Sequence, residues 1–367
     1  MDNKAFTFQS MLTCIGNKRK LVKNIEEIVN NDILPILNKD KINILDGFAG
    51  SSVISRSLSQ YSENMYSNDL ECYAYTMADC FLKTPDNEKK LRIIHHINQM
   101  NNLAENGPYI EGIITQNYSP QDTHNINEGE RCFYTHENAL IIDTLRKYIT
   151  DNVEQELFNY CITPLLIKAS IQTNTAGVFK GFYKNKSGIG TFGGSKENAL
   201  SRITKNIKLD IPVWSNNAFT ANVYQKNIND LIQEIPDNID LTYYDPPYNQ
   251  HPYSSNYFML NLIIKNEMPD KISKVSGIPQ DWMRSDYNYK AKAIHSMTKL
   301  IDDTMKKSKY ILLSYNNEGI IPVDEWDNIF KDYTVKKYEI KYDTFKGSRN
   351  LKNRSNKVIE IMYLISQ

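Results

Sequence analysis

Asp245-Pro246-Pro247-Tyr248 closes the apolar run Ile239–Tyr244 with a carboxylate, two residues that fix φ and donate no backbone hydrogen bond, and a flat aromatic ring. A strand that meets two prolines must stop and present a rigid loop. The carboxylate and a backbone carbonyl of fixed direction offer two acceptors about one amino group apart, and the tyrosine offers a stacking face. That combination suits an exocyclic NH2 on a planar base. Such an amine is a poor nucleophile because its lone pair is delocalised into the ring. Accepting both of its hydrogens draws the nitrogen towards tetrahedral geometry and stabilises the charge that grows there during attack. A base inside a duplex reaches this loop only when flipped out of the stack and held by stacking. Asp245, Pro246, Pro247 and Tyr248 are therefore the candidate catalytic residues.

The reacting partner must be positioned by a second element, and an earlier segment has its form. Residues 41–46 read as a buried strand that runs into Asp46-Gly47-Phe48-Ala49-Gly50-Ser51-Ser52, with a helix over 53–60. Strand, glycine-rich turn and helix open an α/β nucleotide-binding unit. A short strand at 64–67 ends at Asn68-Asp69, about twenty residues beyond the turn, where an acid can accept from ribose hydroxyls. The turn is not the dinucleotide pattern GxGxxG. Two glycines flanking Phe48 admit a bulky ligand without a tight pyrophosphate cradle, so a positively charged methyl donor with an amino-acid tail fits better than NAD.

Further strands are expected at Thr220–Tyr224, Ile239–Tyr244, 310–314 and 358–365, with helices over 18–29, 138–149, 154–170 and 290–307. The expected fold is α/β, a mostly parallel sheet covered on both faces. Residues 81–200 break this alternation: they are rich in Asn, Tyr, Gly and charge, with helices expected over 91–103 and 154–170 and loop-like stretches at 173–179 and 187–194. They read as an insertion, which leaves 1–80 and 201–367 as one discontinuous domain.

The formal net charge is zero, but its distribution is uneven. Between Lys168 and Lys208 the single acid is Glu197, against cations that include Lys180, Lys184 and Lys186. Lys346, Arg349, Lys352, Arg354 and Lys357 form a second basic stretch without an acid. Such stretches, interleaved with Gly, Ser, Asn and aromatics, suit phosphate contacts. The five cysteines are scattered with no CxxC pair, so free thiols are expected and no metal site. No apolar run is long enough to span a membrane and the first residues do not read as a signal peptide.

The order Gly16-Asn17-Lys18, Asp46-Gly47-Phe48-Ala49-Gly50, Asn68-Asp69 and then Asp245-Pro246-Pro247-Tyr248 resembles the S-adenosylmethionine-dependent DNA adenine-N6 methyltransferases in their alpha arrangement, the group of Dam-like and restriction-modification enzymes. The resemblance implies a Rossmann-like class I methyltransferase fold with an inserted target-recognition domain. It implies S-adenosyl-L-methionine as cofactor, with Cys14, Gly16 and Lys18 in a covering N-terminal segment. Asp46, Phe48 and Gly50 would line the methionine and ribose side, Asp69 would hold the ribose hydroxyls, and Asp245 would lie near the cofactor as well as the flipped adenine. Many members carry an acid where this chain has Asn227, whose amide can also serve the cofactor's adenine. Double-stranded DNA is the implied substrate, contacted by Lys180, Lys184, Lys186, Lys346, Arg349, Lys352 and Arg354. A separately encoded restriction endonuclease is the implied partner, and a bacterial, cytoplasmic, DNA-associated protein the implied setting. RNA adenine-N6 or DNA cytosine-N4 methylation stays open as an alternative, as does a catalytically silent DNA-binding module.

Overall fold

The structure, a computed structural model, describes residues 3–9, 12, 16, 18–194, 197–343 and 357–367. Seven strands form its centre: β1 (Ile42–Asp46), β2 (Ser62–Asn68), β3 (Thr220–Tyr224), β4 (Ile239–Tyr244), β5 (Ser308–Asn316), β6 (Thr334–Asp343) and β7 (Lys357–Ser366). They lie side by side in the order β3-β2-β1-β4-β5-β7-β6. The pairings among β1 to β5 are all parallel, whereas β7 runs antiparallel to both β5 and β6. This is a Rossmann-like α/β sheet with one reversed strand.

Period-two alternation divides the strands between two cores. Ile44, Met65, Leu241, Tyr243, Leu312, Met362 and Leu364 point to one face. Leu45, Tyr66, Tyr244, Ile311, Leu313, Ile361, Tyr363 and Ile365 point to the other. Every residue of β1 and β4 is buried, as expected of central strands covered on both sides. The helix Lys290–Met305 shows how a face is covered: Ala293, Met297, Leu300, Ile301 and Thr304 fall on one stripe at spacings of three and four, packed against the sheet.

Between β2 and β3 the chain leaves the sheet and builds a helical layer from Cys72–Leu82, Asn87–Asn106, His136–Asn152 and Phe158–Ile171. Its buried residues, Phe81, Ile97, Phe133, Ile142 and Leu165 among them, share one continuous core with the sheet face carrying Ile44 and Leu241. Two elements differ from expectation. The helix expected over 18–29 continues past Val22–Ile28 through a wide turn, Val29–Ile33, into Leu34–Leu37, because Val29 and Ile33 extend its buried stripe. Strand β6 was not expected: the adjacent Lys336 and Lys337 interrupt its apolar alternation, a composition that an edge strand tolerates. Among the described residues no helix is long and apolar enough to cross a membrane.

Candidate active site

Strands β1 and β4 are neighbours at the point where the strand order reverses, β1 leading to β2 on one flank and β4 to β5 on the other, and a crevice opens beyond their carboxyl ends. It holds about 990 Å³ including its mouth, and Asp46, Phe48, Gly50, Asp69, Glu71, Asn227, Tyr243, Asp245 and Pro247 line it. Both motifs singled out in the sequence thus face one cavity, although two hundred residues separate them.

The first turn is shaped by close packing. Gly47 donates its N–H to Tyr243 O at 3.0 Å, which fastens β1 to β4. A Cβ on Gly47 would sit 2.4 Å from the Tyr244 ring, so only glycine fits. Gly50 turns at φ +51° and its N–H donates to Asp69 Oδ2 at 2.8 Å. Asp69 Oδ1 accepts from the Glu71 N–H at 2.9 Å. The acid at the end of β2 therefore organises the glycine turn, each oxygen keeping a lone pair for a ligand. Asn68 fastens the third side: its Nδ2 donates to Gly47 O and Lys226 O, both at 3.1 Å, and its Oδ1 accepts from Lys226 N.

Asp46 is the strongest mark of a ligand-binding wall. Its Oδ2 accepts from Ser55 Oγ at 2.6 Å, while Oδ1 is buried with no hydrogen-bond partner. Burial pushes its pKa up to about 7, Ser55 opposes the shift and the Asp245 and Asp69 charges add to it. Glu71 is likewise pushed up to about 7 by burial, although Ser254 Oγ and Asn261 Nδ2 donate to it at 2.7 and 3.0 Å. Burial also raises Asp69, against the backbone N–H groups it accepts. The described lining thus carries four carboxylates against two lysines, Lys18 and Lys226, and Lys226 is already paired with Glu234. A cavity so charged favours a cationic occupant.

Asp245 sits where β4 ends, its side chain 17% exposed. Lys18 Nζ donates to Asp245 Oδ1 at 2.6 Å and lies 3.2 Å from Glu360 Oε1. Burial pushes Asp245 up to about 6; Lys18 opposes this and Glu360 reinforces it. For Lys18, burial alone would lower the pKa, but the Asp245 and Glu360 carboxylates outweigh it and hold the ammonium well above its ordinary value. The Lys18 ammonium also lies 5.7 Å from the centre of the Tyr248 ring. Gly16, at φ +78°, leaves room for that ring: a Cβ there would meet Tyr248 Oη at 2.9 Å and Tyr253 Oη at 3.0 Å. The Tyr248 carbonyl accepts from Ile320 N at 2.9 Å, and Asn288 Nδ2 donates to Asn249 O at 2.8 Å, so loops after β4 and β5 brace one another.

Phe48 forms the aromatic wall, edge-on to Tyr244 and Tyr287 with ring centres 5.8 and 5.3 Å away. Asn227 lines the mouth and caps its own helix, Ile228–Glu234, by accepting from Asn229 N at 2.9 Å. Cys14 lies outside the described residues, as do Lys346, Arg349, Lys352 and Arg354. Lys180, Lys184 and Lys186 lie away from the crevice wall. Lys184 and Lys186 are exposed on a hairpin closed by the Lys184–Gly190 bridge. Lys180 is close enough to His251, after the Pro-Pro loop, that burial and the Lys180 charge together lower that imidazole's pKa.

A family model described as D12 class N6 adenine-specific DNA methyltransferase matches residues 15–329. The chain belongs to that family. This D12 methyltransferase transfers a methyl group to N6 of adenine in DNA, and the matched residues include both Asp46 to Gly50 and Asp245 to Tyr248. It is 28% identical over 365 residues to the type II methyltransferase M.NlaIII of Neisseria lactamica, covering 96% of this chain and 98% of the other. It is 27% identical to the modification methylase StsI of Streptococcus sanguinis, covering 96% of this chain but 51% of that protein. The type II methyltransferase M.CviAII of Paramecium bursaria Chlorella virus 1 is 27% identical, with 87% of each chain covered.

Sequence reasoning passed over Glu71, Tyr287 and Glu360, and quoted Asn68 only as part of the Asn68-Asp69 pair, without a role of its own. Asn68 stands beside the acid that was singled out, so its stapling role was within reach. Glu71, Tyr287 and Glu360 carry no local signal: they reach the site through burial and through neighbours far away in the chain.

Proposed function

We propose that the crevice binds S-adenosyl-L-methionine, and that Asp245, Pro246, Pro247 and Tyr248 hold the N6 amine of an adenine flipped out of duplex DNA. The carrying observation is the excess of buried carboxylates over lysines around one cavity, with Asp46 Oδ1 unpartnered in its wall. When bound, this cofactor supplies a methyl group on a cationic sulfur, together with an α-ammonium group that suits Asp46. Phe48 and Gly50 would line its methionine and ribose side, Asp69 the ribose hydroxyls, Asn227 its adenine, and Gly16, Lys18 and Cys14 would cover it.

Asp245 accepts hydrogen from the target amine and stabilises the positive charge that forms as the nitrogen gains a fourth bond. The nitrogen lone pair would form the new N–C bond to the methyl group that the donor supplies as its S–C bond breaks, and the proton lost from the nitrogen would pass to solvent water. Much of the rate would come from orientation: Pro246 and Pro247 fix the loop and Tyr248 stacks on the base. Residues 81–200 would read the target sequence, with Lys180, Lys184, Lys186, Lys346, Arg349, Lys352 and Arg354 on phosphates. The relatives' names, type II methyltransferase and modification methylase, support a restriction-modification role alongside a separately encoded endonuclease.

The test is Asp245→Ala. It is expected to bind the methyl donor by calorimetry while labelled methyl transfer to duplex DNA falls by at least a hundredfold. Undiminished transfer would sink the assignment. Running duplex DNA, RNA and adenine-free DNA side by side separates adenine-N6 methylation of DNA from the RNA and cytosine-N4 readings.

A further inference from the structure

An ammonium in contact with the catalytic carboxylate works against the reaction. Asp245 helps by meeting positive charge on the target nitrogen, and Lys18 at 2.6 Å supplies positive charge of its own. Taken alone, the pair is neutral and its field at the amine largely cancels.

A second carboxylate restores the balance. Glu360 lies on β7, beyond residues 15–329 that the family model matches, and is wholly buried. Its Oε1 stands 3.2 Å from Lys18 Nζ and accepts from Ser314 Oγ of β5 at 2.5 Å. The antiparallel pairing of β5 with β7, Asn316 opposite Glu360 and Ser314 opposite Met362, brings these two side chains to the same face. Two carboxylates now share one ammonium.

We propose that Glu360 is a positioning residue of the methyl transfer: by engaging Lys18 from the side of β7, it leaves Asp245 free to act as an anion towards the target amine. The proposal rests on Asp245 holding that amine. Lys18, Glu360, Asp69 and Asp46 are the charged groups that face Asp245, with the Tyr243 phenol beside it; the Tyr243 and Tyr248 phenols face Lys18. Asp46 and Asp69 line the donor's side of the crevice, where a cationic ligand answers them, so among the described carboxylates Glu360 is the second that reaches Lys18, after Asp245.

Glu360→Gln keeps the shape and the oxygen that accepts from Ser314 while removing the charge. Single-turnover methyl transfer to duplex DNA from pH 5 to 9 is expected to fall by roughly tenfold at its plateau. Its acid limb is expected at lower pH, because Asp245 ionises more readily without Glu360, and donor affinity by calorimetry should stay within about twofold. A wild-type plateau and limb, or a lowered plateau with the limb unmoved, overturns the proposal. Lys18→Met/Glu360→Gln removes the cation together with its partner and guards against misfolding of the single variant. It is expected to outpace Glu360→Gln, and a rate equal to the product of both single losses also overturns the proposal. Asp245→Ala run alongside separates the two claims: its activity would sink the role of Asp245, whereas an inactive Asp245→Ala beside an unaffected Glu360→Gln sinks only that of Glu360.

Discussion

Asp46 keeps one carboxylate oxygen without a partner in a wall that already holds three other acids, so its charge costs the empty protein and rewards a cation. Two opposite effects of Asp46→Asn follow. The unliganded protein should melt at higher temperature, because a buried charge has gone. The Kd for the methyl donor should rise about ten- to a hundredfold, because a charge-assisted hydrogen bond has gone. Thermal melts with calorimetric titration check both, and a donor affinity equal to wild type would remove Asp46 from the binding site. Lys18 makes the complementary point: its role depends on two carboxylates from different strands, so the residue type alone did not disclose it. The sequence made Asp245 legible because a Pro-Pro loop is a local signal, whereas Glu360 is one acid among many until β7 is laid beside β5.

At the scale of elements, the glycine turn after β1 is a joint more than a cradle. It is bonded to β4 through Gly47 and to the end of β2 through Asn68 and Asp69, and Asn68 is bonded in turn to Lys226 in the segment after β3. Gly47→Ala tests how tightly that joint is packed. The added methyl would overlap the Tyr244 ring, which cannot swing away because its hydroxyl is bonded to Thr304 Oγ1 at 2.7 Å. A loss of about 1 to 3 kcal/mol in denaturant unfolding is expected, and a change below the error of that measurement would mean the joint has slack. Strands β1, β4 and β5 were legible because burial on both faces leaves a continuous apolar run. Strand β6 was not, since an edge strand answers to solvent on one side and its paired lysines hide the alternation.

Over the whole molecule, the acids of the crevice set how stability follows pH. Asp46 and Glu71 at about 7, Asp245 at about 6 and the raised Asp69 all bind protons more tightly folded than unfolded. Between about pH 4 and 7 the native state therefore holds more protons, and these groups make stability fall as pH rises. The melting temperature of the unliganded protein is expected to drop from pH 5.5 to 7.5, and saturating methyl donor should flatten the slope; a flat or rising curve without donor would contradict the burial of these acids. The helical layer between β2 and β3 was less legible than the sheet because its core is shared with the sheet face, so its limits are set by packing with distant residues and not by composition alone. The sharing of one lysine by β4 and β7 also bears on synthesis. A ribosome makes Lys18 and the glycine turn early, Asp245 later and Glu360 later still, so a chain halted before β7 carries Lys18 and Asp245 without the second carboxylate. Interrupted translation should thus yield chains without the strand that joins β5 to β6, and methyl transfer by such unfinished protein is expected to be slower than by the whole chain by about tenfold or more.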